Sequence, residues 1–355
     1  MMLTLIGGGV GFVANKARNQ QAAVRAILHH GGSVQYQTEA EDVSPDEGPK
    51  RPAYIDFISD VVSVHCNDPS LTDISFLGSL SDVTIVDLSE TGVQQLESLG
   101  GMRALEVVFL FRTPVKDLTP LKNLKHLRSL DLLETPVTDL TPLASLASLR
   151  ELDVSSCPVA DVSSLIGLTQ LASLKLKNTL ITDIEPLSGL VELKMLFLDN
   201  TPVDNFQPLA SLESMETLSL ERTSITDLAP LKQLRKLKWL DLRGTRAGDL
   251  SPLSELANLR TLLLAGTSAA DLSALSSLQR LEELSLADSA VRDVTALAKI
   301  PSLIELDLAG TEVKRVAALS ACSSLQVIRL PAALEGTPEH LDLVHALPLT
   351  LIDFE

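Results

Sequence analysis

The sequence has few aromatic residues, few cysteines and no excess of positive charge. Aromatic residues are 3 % of the chain, with a single tryptophan, whereas apolar residues reach 45 %. Aliphatic side chains, leucine above all, must therefore fill the core. The formal net charge of −17 disfavours nucleic acid as a general partner, because phosphate contacts require a basic surface, and we predict no nucleic-acid binding.

The three cysteines argue against a disulfide-stabilised fold. Cys66, Cys157 and Cys322 are odd in number and form no CxxC pair. The sequence also contains no N-x-S/T sequon, so nothing points specifically to secretion. We expect the three thiols to be small, buried hydrophobic groups.

No apolar run in the sequence reaches the usual length of a membrane helix. Residues 1–14 are uncharged and mostly apolar, but a membrane span needs roughly 20 such residues. A signal peptide carries its positive charge before the apolar run, whereas Lys16 and Arg18 follow it here. Two interpretations remain. Residues 1–14 are part of a membrane anchor, with the rest of the chain on the cytoplasmic side, or they form the first strand of a soluble cytoplasmic domain.

The glycines of this segment suggest an alternative function, a nucleotide-binding enzyme that uses the segment from Gly7 to Ala14. Residues 9–14 fit the pattern G-x-G-x-x-A, and a strand over residues 33–39 would end on an acid, as a dinucleotide site requires. Such a cofactor lies at the edge of a wider parallel sheet, however. The chain passes instead into an acidic linker, residues 39–52, so we predict no cofactor.

Residues 15–58 are predicted to form an N-terminal cap. Residues 14–30 are rich in Ala, Gln, Arg and Leu and predict a helix, with Gly31 and Gly32 as its C-cap. Residues 33–38 alternate in polarity, which predicts a strand. Together with residues 53–59, these elements can cover the open hydrophobic end of a repeat array.

Residues 59–322 consist of twelve copies of a 22-residue unit, without insertion or deletion. Positions 3, 6 and 8 of the unit are aliphatic in nearly every copy, which predicts a short strand with one buried face. Positions 13, 16, 19 and 22 are also apolar, and this spacing of three predicts a 3₁₀-like return segment. No unit can bury these residues alone, so neighbouring units must stack.

Three further positions carry residues suited to tight bends. Position 11 is threonine in nine copies, and we expect its hydroxyl to bridge the backbone of adjacent turns. Position 15 is aspartate in nine copies and precedes the return segment, which predicts N-caps rather than calcium ligands. Position 18 is proline in six copies, and proline fixes the return without needing an amide proton.

The pattern LxxLxxLxLxxTxVxDLxPL resembles the bacterial, internalin-like, 22-residue form of the leucine-rich repeat. The resemblance implies an α/β solenoid, a curved right-handed superhelix with a parallel β-sheet on the concave face and short 3₁₀ or irregular returns on the convex face. It also implies a non-catalytic scaffold that binds a protein or peptide. The stretch KARNQQAAVRAILHHGGSVQYQTE is similar to the segment that follows the anchor in uncharacterised membrane-anchored bacterial leucine-rich repeat proteins.

Residues 323–355 are predicted to form a C-terminal cap. The repeat pattern continues for one more strand and then stops. Thr337-Pro338-Glu339 is typical of a helix start, and the helix is expected to end before Pro348. Residues 349–354 predict a final strand.

Positions 5, 7, 9 and 10 of the unit are predicted to project from the concave sheet. Four of the eleven aromatic residues fall at these positions, where aromatic side chains are typical anchors of an interface. Acidic residues are also frequent there and would steer a basic partner. The predicted partner-binding residues are Phe109, Phe111, Arg112, Met195, Phe197, Arg222, Trp239, Asp241 and Arg243. The alternative is that neighbouring side chains bury the aromatics and that the polar residues are merely solvated.

The sequence shows no catalytic constellation. Of the six histidines, only His65 projects from the predicted sheet; Asp87 holds the same position in the next unit. Neither a nucleophile nor a pocket accompanies this pair. We predict no enzyme activity and no metal, and we expect a monomer. A purely structural spacer is the remaining alternative, and for a spacer no substitution on the concave face would matter.

Overall fold

The computed structural model describes residues 3–37 and 60–354, with side chains from residue 15 onward. The predicted acidic linker (residues 39–52) and residues 53–59 lie outside these described ranges. The chain divides into two compact units, Met1–Leu171 (unit 1) and Ala172–Glu355 (unit 2).

A long helix, α1 (Leu3–His29), opens the chain, and Gly31 follows it with a φ of +70°. The predicted helix over residues 14–30 is confirmed, but it begins well before Ala14. The predicted first strand is wrong, because no proline interrupts this run and the helix continues through Gly9 and Gly11. The nucleotide-binding alternative thereby loses the strand–turn–helix on which it depends. Within the described ranges, no helix is both long enough and apolar enough to span a membrane.

The second half of α1 packs against the start of the repeats. Ala23, Val24 and Ile27 are buried, and Lys16 forms ion pairs with Asp60 and Asp82 at 2.8 and 2.9 Å. The predicted strand over residues 33–38 is confirmed in a shorter form. It is β1 (Ser33–Tyr36), and it pairs antiparallel with β2 (Val61–His65).

Unit 1 continues with one strand and one 3₁₀ turn in each repeat. Strands β2 to β6 pair in parallel in sequence order. The further strands are β3 (Ile85–Asp87), β4 (Val107–Phe109), β5 (Ser129–Asp131) and β6 (Glu151–Asp153). The 3₁₀ turns are Ser75–Ser79, Glu97–Gly101, Thr119–Asn123, Thr141–Leu143 and Ser163–Leu165.

Unit 2 repeats the same pattern, and its strands β7 to β15 also pair in parallel in sequence order. The strands are β7 (Ser173–Lys175), β8 (Met195–Phe197), β9 (Thr217–Ser219), β10 (Trp239–Asp241), β11 (Thr261–Leu263), β12 (Glu283–Ser285), β13 (Glu305–Asp307), β14 (Val327–Leu330) and β15 (Leu351–Phe354). The 3₁₀ turns are Glu185–Leu187, Gln207–Ser211, Ala229–Leu231, Ser251–Glu255, Ser273–Ser277, Thr295–Lys299, Ala317–Ala321 and Ala332–Leu334.

The apolar spacing of three has a direct structural cause. The amide of Leu143 donates to the carbonyl of Leu140, that of Leu146 to Leu143, and that of Leu149 to Leu146, each at 2.9 Å. Successive leucines thus close successive i to i+3 turns, and all four are buried. The predicted 3₁₀ returns and the parallel sheet of short strands are confirmed.

Two predicted roles of polar repeat residues need correction. The position-11 threonines bond within their own repeat, as when the hydroxyl of Thr135 donates to the carbonyl of Leu132 at 2.7 Å. The bend brings the carbonyl three residues earlier within reach of the short side chain. Contact between adjacent repeats is made at this position by Cys157, whose Sγ lies 3.0 Å from the carbonyl of Leu132 and 3.3 Å from the Thr135 hydroxyl. The position-15 aspartates do bind the start of the return: Asp139 Oδ1 accepts the amide of Thr141 at 2.8 Å. The residue at the N-cap, however, is the following Leu140.

The predicted C-terminal elements are confirmed. Helix α2 (Pro338–Ala346) begins after Thr337, whose hydroxyl accepts the amide of His340 at 3.4 Å. Its Glu339 accepts the amide of Val316 at 3.0 Å, in a repeat whose position 15 is Arg315 instead of aspartate. The final strand, β15, pairs in parallel with β14.

Candidate protein interface

The side chains at positions 5, 7, 9 and 10 of each repeat form what we call the strand face. The residue between positions 5 and 7 points into the core, as Leu130 and Leu196 show by being almost fully buried. Alternation along a strand therefore places positions 5 and 7 on the opposite side. All nine predicted partner-binding residues lie on the strand face, distributed over both units.

Phe109, Phe111 and Arg112 lie together in unit 1. Phe109 ends β4, and Phe111 follows it; both rings are half-buried. The guanidinium of Arg112 lies 4.6 Å from the centre of the Phe111 ring and donates to Glu134 Oε2 at 2.7 Å and to Glu90 Oε1 at 3.2 Å. These hydrogen bonds raise the pKa of Arg112, and the bond to Glu134 has the largest effect. The arginine is thus held between two carboxylates.

Met195, Phe197 and Trp239 form an apolar surface in unit 2, which we call the aromatic patch. The rings of Phe197 and Trp239 lie 6.3 Å apart between centroids, tilted by 46°. Met195 and Trp239 lie on either side of strand β9, and both pair with the same residue of that strand, Thr217. Both rings are half-buried and Met195 is exposed, so the aromatics are neither fully exposed nor hidden in the core.

A network of charged residues lies beside the aromatic patch. Arg243 Nε donates to Asp241 Oδ2 at 2.9 Å, and its Nη2 donates to Glu221 Oε2 at 3.0 Å. Ser219 donates to Asp199 Oδ1 at 2.5 Å, and Lys177 Nζ lies 3.5 Å from Asp199 Oδ2. The hydrogen bond to Asp241 is the main reason why the pKa of Arg243 is raised.

The carboxylates of Asp199, Glu221 and Asp241 are the group in the described part of the chain that could hold a metal ion. Their nearest oxygens lie within 4.8 Å of one another, a separation that oxygens around one calcium ion can have. Asp199 Oδ2 accepts no hydrogen bond from any described residue, although Lys177 is close to it. The guanidinium of Arg243 already binds two of the three carboxylates. The cluster therefore acts as an ion-pair network around an internal cation.

The structure separates the nine predicted residues into a unit 1 group of three and a unit 2 group of six. The predicted partner-binding set does not include four neighbours that hold positions 7 and 9 of consecutive repeats, namely Lys177, Asp199, Ser219 and Glu221. Their signal was available, because polar residues at equivalent positions of neighbouring repeats must lie one strand apart. It was not distinctive, since most repeats carry some polar residue there.

The His65–Asp87 pair has a third member, Ser63, which the sequence pattern did not indicate. Ser63 Oγ lies 2.5 Å from His65 Nε2, and Asp87 Oδ2 lies 3.7 Å from His65 Nδ1. Burial opposes ionisation of Asp87, but hydrogen bonds from His65 and Ser89 outweigh it and lower the pKa of this carboxyl. Ser63 is 1 % exposed, so its hydroxyl cannot meet a substrate. The array is therefore a polar network in which a buried serine lies beneath a partly exposed pair, since the side chains of His65 and Asp87 are 38 % and 33 % exposed.

The three cysteines are free and buried, as predicted. Burial raises the pKa of Cys66 to about 12 and that of Cys322 to about 11, and it also raises the pKa of Cys157. A thiolate is the reactive form of cysteine, so these thiols are held in their inert form.

Solved structures that resemble this chain include an internalin, a leucine-rich repeat protein and a plant receptor. An internalin from Listeria monocytogenes is 24 % identical, with a TM-score of 0.73 over 87 % of this chain and 94 % of its own. A leucine-rich repeat protein of Leptospira interrogans is 20 % identical, with a TM-score of 0.70 over 82 % and 83 %. A plant peptide hormone receptor, in complex with RGF2, is 18 % identical, with a TM-score of 0.61 over 83 % and 52 %. These similarities establish the fold.

The family follows from the sequence itself. No curated protein matches the chain. The family model for the leucine-rich repeat region matches residues 84–321, which is more than half of the chain. The internalin-like repeat predicted from the sequence is confirmed, and the chain belongs to the leucine-rich repeat family.

Proposed function

We propose that this chain is a non-catalytic scaffold that binds a protein or peptide through its strand face, with the aromatic patch of unit 2 as the anchor. The observation that carries the proposal is the position of Phe197 and Trp239. Their half-exposed rings lie side by side on a face that is otherwise mostly polar. Aromatic side chains in such a setting supply a large share of the binding energy at protein interfaces.

The surroundings of the aromatic patch support this function. Lys177 Nζ lies 4.5 Å from the centre of the Phe197 ring, and the ion pairs of Arg243 fix the groups next to Trp239. A surface held in place in this way loses little conformational entropy on binding. The plant peptide hormone receptor in complex with RGF2 has a similar fold and is a precedent for its use in a peptide receptor.

The proposal can be tested by selecting short peptides from a random display library on the immobilised chain. Binding of each selected peptide would then be measured by calorimetry and by the emission of Trp239, the single tryptophan. We expect Phe197→Ala to weaken binding at least about tenfold, as loss of an interface anchor does. Phe109→Ala is the matched control, because Phe109 holds the same repeat position in unit 1, and it should leave affinity unchanged.

Two results would contradict the proposal. Peptides that bind equally well to the wild type, Phe197→Ala and Trp239→Ala would remove the aromatic patch from the function. Failure to select any peptide whose binding depends on a strand-face residue would favour the structural spacer.

A further inference from the structure

We propose that the aromatic patch takes an acidic peptide segment, one that combines carboxylates with an apolar anchor. This inference rests on the proposed function and names the chemistry of its partner. It is opposite to what the net charge of −17 suggests on its own. The reason lies in which charged groups around the patch are exposed and which are buried.

The carboxylates next to the aromatic patch are largely hidden from a ligand. The side chains of Asp241, Asp199 and Glu221 are 1 %, 10 % and 26 % exposed. The neighbouring cations are more exposed: 38 % for Lys177, 43 % for Arg243 and 75 % for Arg222. A ligand that approaches the patch therefore meets aromatic rings and basic groups first.

Arg222 lies in the turn that follows strand β9, next to the same turn of the following repeat. The amide of Arg222 donates to the carbonyl of Arg243 at 2.8 Å, which places the two arginines side by side. A Cβ on Gly244 would lie 3.2 Å from Cγ of Arg222, so the glycine leaves room for the arginine stem. Gly244 also has a φ of +66°, a conformation that glycine adopts without strain.

The two arginines retain donors for a ligand. Arg243 uses Nε and Nη2 to bind Asp241 and Glu221, while the ion pair of Arg222 with Glu221 is made through Nε at 3.7 Å. An arginine side chain has five N–H donors, so the remaining ones can bind a carboxylate of the partner. A basic ligand, by contrast, would have to displace Arg243 from the buried Asp241, which would break an ion pair that is already formed.

The acidic remainder of the chain does not prevent this recognition. Charges separated by more than the Debye length, about 8 Å at physiological ionic strength, are largely screened from each other. The groups that decide affinity are therefore those in contact with the ligand. Among the charged groups discussed above, Lys177 contacts the Phe197 ring, and Arg243 and Arg222 are the exposed cations of the adjoining ion-pair network.

The selection experiment distinguishes the partner classes, provided that it includes charge variants. We expect peptides that depend on Trp239 to be enriched in Asp and Glu together with Leu, Phe or Trp. Arg222→Glu should weaken them at least about tenfold, because a like charge replaces the attracting one. Lys314→Glu is the matched control: it makes the same charge change at exposed position 14 of its repeat, outside the strand face, and should change affinity less than about twofold.

Each outcome has a distinct meaning. Enrichment of Lys and Arg in peptides that depend on Trp239 would overturn the acidic-partner inference but leave the proposed function in place. Acidic peptides that respond equally to Arg222→Glu and Lys314→Glu would also overturn it, because only the total charge would then matter. If no peptide depends on the aromatic patch, the proposed function itself fails.

Discussion

The two units build the same repeat but differ in the chemistry of the strand face. The charged residues of unit 1 on this face are mostly carboxylates, at Asp68, Asp87, Glu90, Asp131, Glu134, Glu151 and Asp153. Unit 2 presents aromatic rings and basic groups around β8 to β10, where Asp199 and Asp241 are buried and Glu221 is partly exposed. Because core positions 3, 6 and 8 are filled alike in both units, the strand face can change its chemistry without cost to the core.

Asp131 and Asp241 show how the same position acquires different properties. Both hold position 7, and both accept the amide two residues later, at 2.8 and 2.9 Å. Asp131 is half-buried, whereas Asp241 is 1 % exposed and is bound by the side chain of Arg243. The strand thus fixes where the carboxylate lies, and its neighbours decide whether it is part of the surface.

The largest difference between the units is expected in acid. Among the described carboxyl groups, six aspartates of unit 1 have a lowered pKa, against three acidic residues of unit 2. Those of unit 1 are Asp68, Asp73, Asp82, Asp87, Asp117 and Asp161. Those of unit 2 are Glu216, Asp249 and Asp293. A group whose pKa is lowered on folding stabilises the protein above its unfolded value, near 4, and this contribution is lost as pH falls through the folded value.

We therefore expect unit 1 to lose protection before unit 2 between about pH 4 and about pH 2. Hydrogen exchange by mass spectrometry, corrected for the intrinsic effect of pH, would measure this strand by strand. Asp68 provides the control. Its hydrogen bond with His30 is the main reason why its pKa is lowered to about 2. Asp68→Asn should make β2 less sensitive to acid. Earlier loss of protection in unit 2 would contradict the assignment.

The second expected effect concerns the pair Asp131 and Asp241. Asp241→Ala should lower the free energy of unfolding by about 2 kcal/mol, because it leaves Arg243 and a backbone amide without their buried acceptor. Asp131→Ala, the matched change in unit 1, should cost about 1 kcal/mol or less, since water can replace a half-exposed carboxylate. Urea unfolding followed by far-ultraviolet circular dichroism would measure both. Equal losses would mean that the burial of Asp241 is energetically unimportant.

The sequence predicted the fold well because the core positions repeat. Each strand and each 3₁₀ return follows from an apolar spacing that recurs twelve times, so an error in one copy is corrected by the others. The N-terminal helix has no such redundancy. In this segment, Gly7, Gly8, Gly9 and Gly11 suggested a glycine-rich turn, whereas helix α1 continues through all four residues.

The candidate site was predictable only in part. Position in the repeat predicts that Phe197, Trp239, Asp241 and Arg243 lie on one side of the strands. It did not indicate that Asp241 is buried, because Asp131 has the same position and a similar local sequence. Burial here depends on Arg243 and Glu221, and thus on contacts across strands that a periodic pattern does not specify.

The smallest expected effect lies at position 10, where the backbone has a positive φ in both units. Gly266 of unit 2 has a φ of +67°, and Arg112 of unit 1 adopts +54°. A Cβ on Gly266 would meet no atom closer than 3.8 Å, so Gly266→Ala should cost only the conformational strain, about 1 kcal/mol.

Arg112→Gly should change the free energy of unfolding by less than about 1 kcal/mol. Glycine removes the strain of the positive φ, but the variant loses the exposed ion pairs and has a more flexible unfolded chain, so the effects largely cancel. Arg112→Ala keeps the strain and is the control that separates the two contributions. Urea unfolding of the three variants would measure these differences. If Arg112→Gly costs more than about 2 kcal/mol, the bonds of Arg112 to Glu90 and Glu134 are worth more than exposed ion pairs usually are. The ion pairs of Arg112 on the strand face of unit 1 would then contribute to its stability.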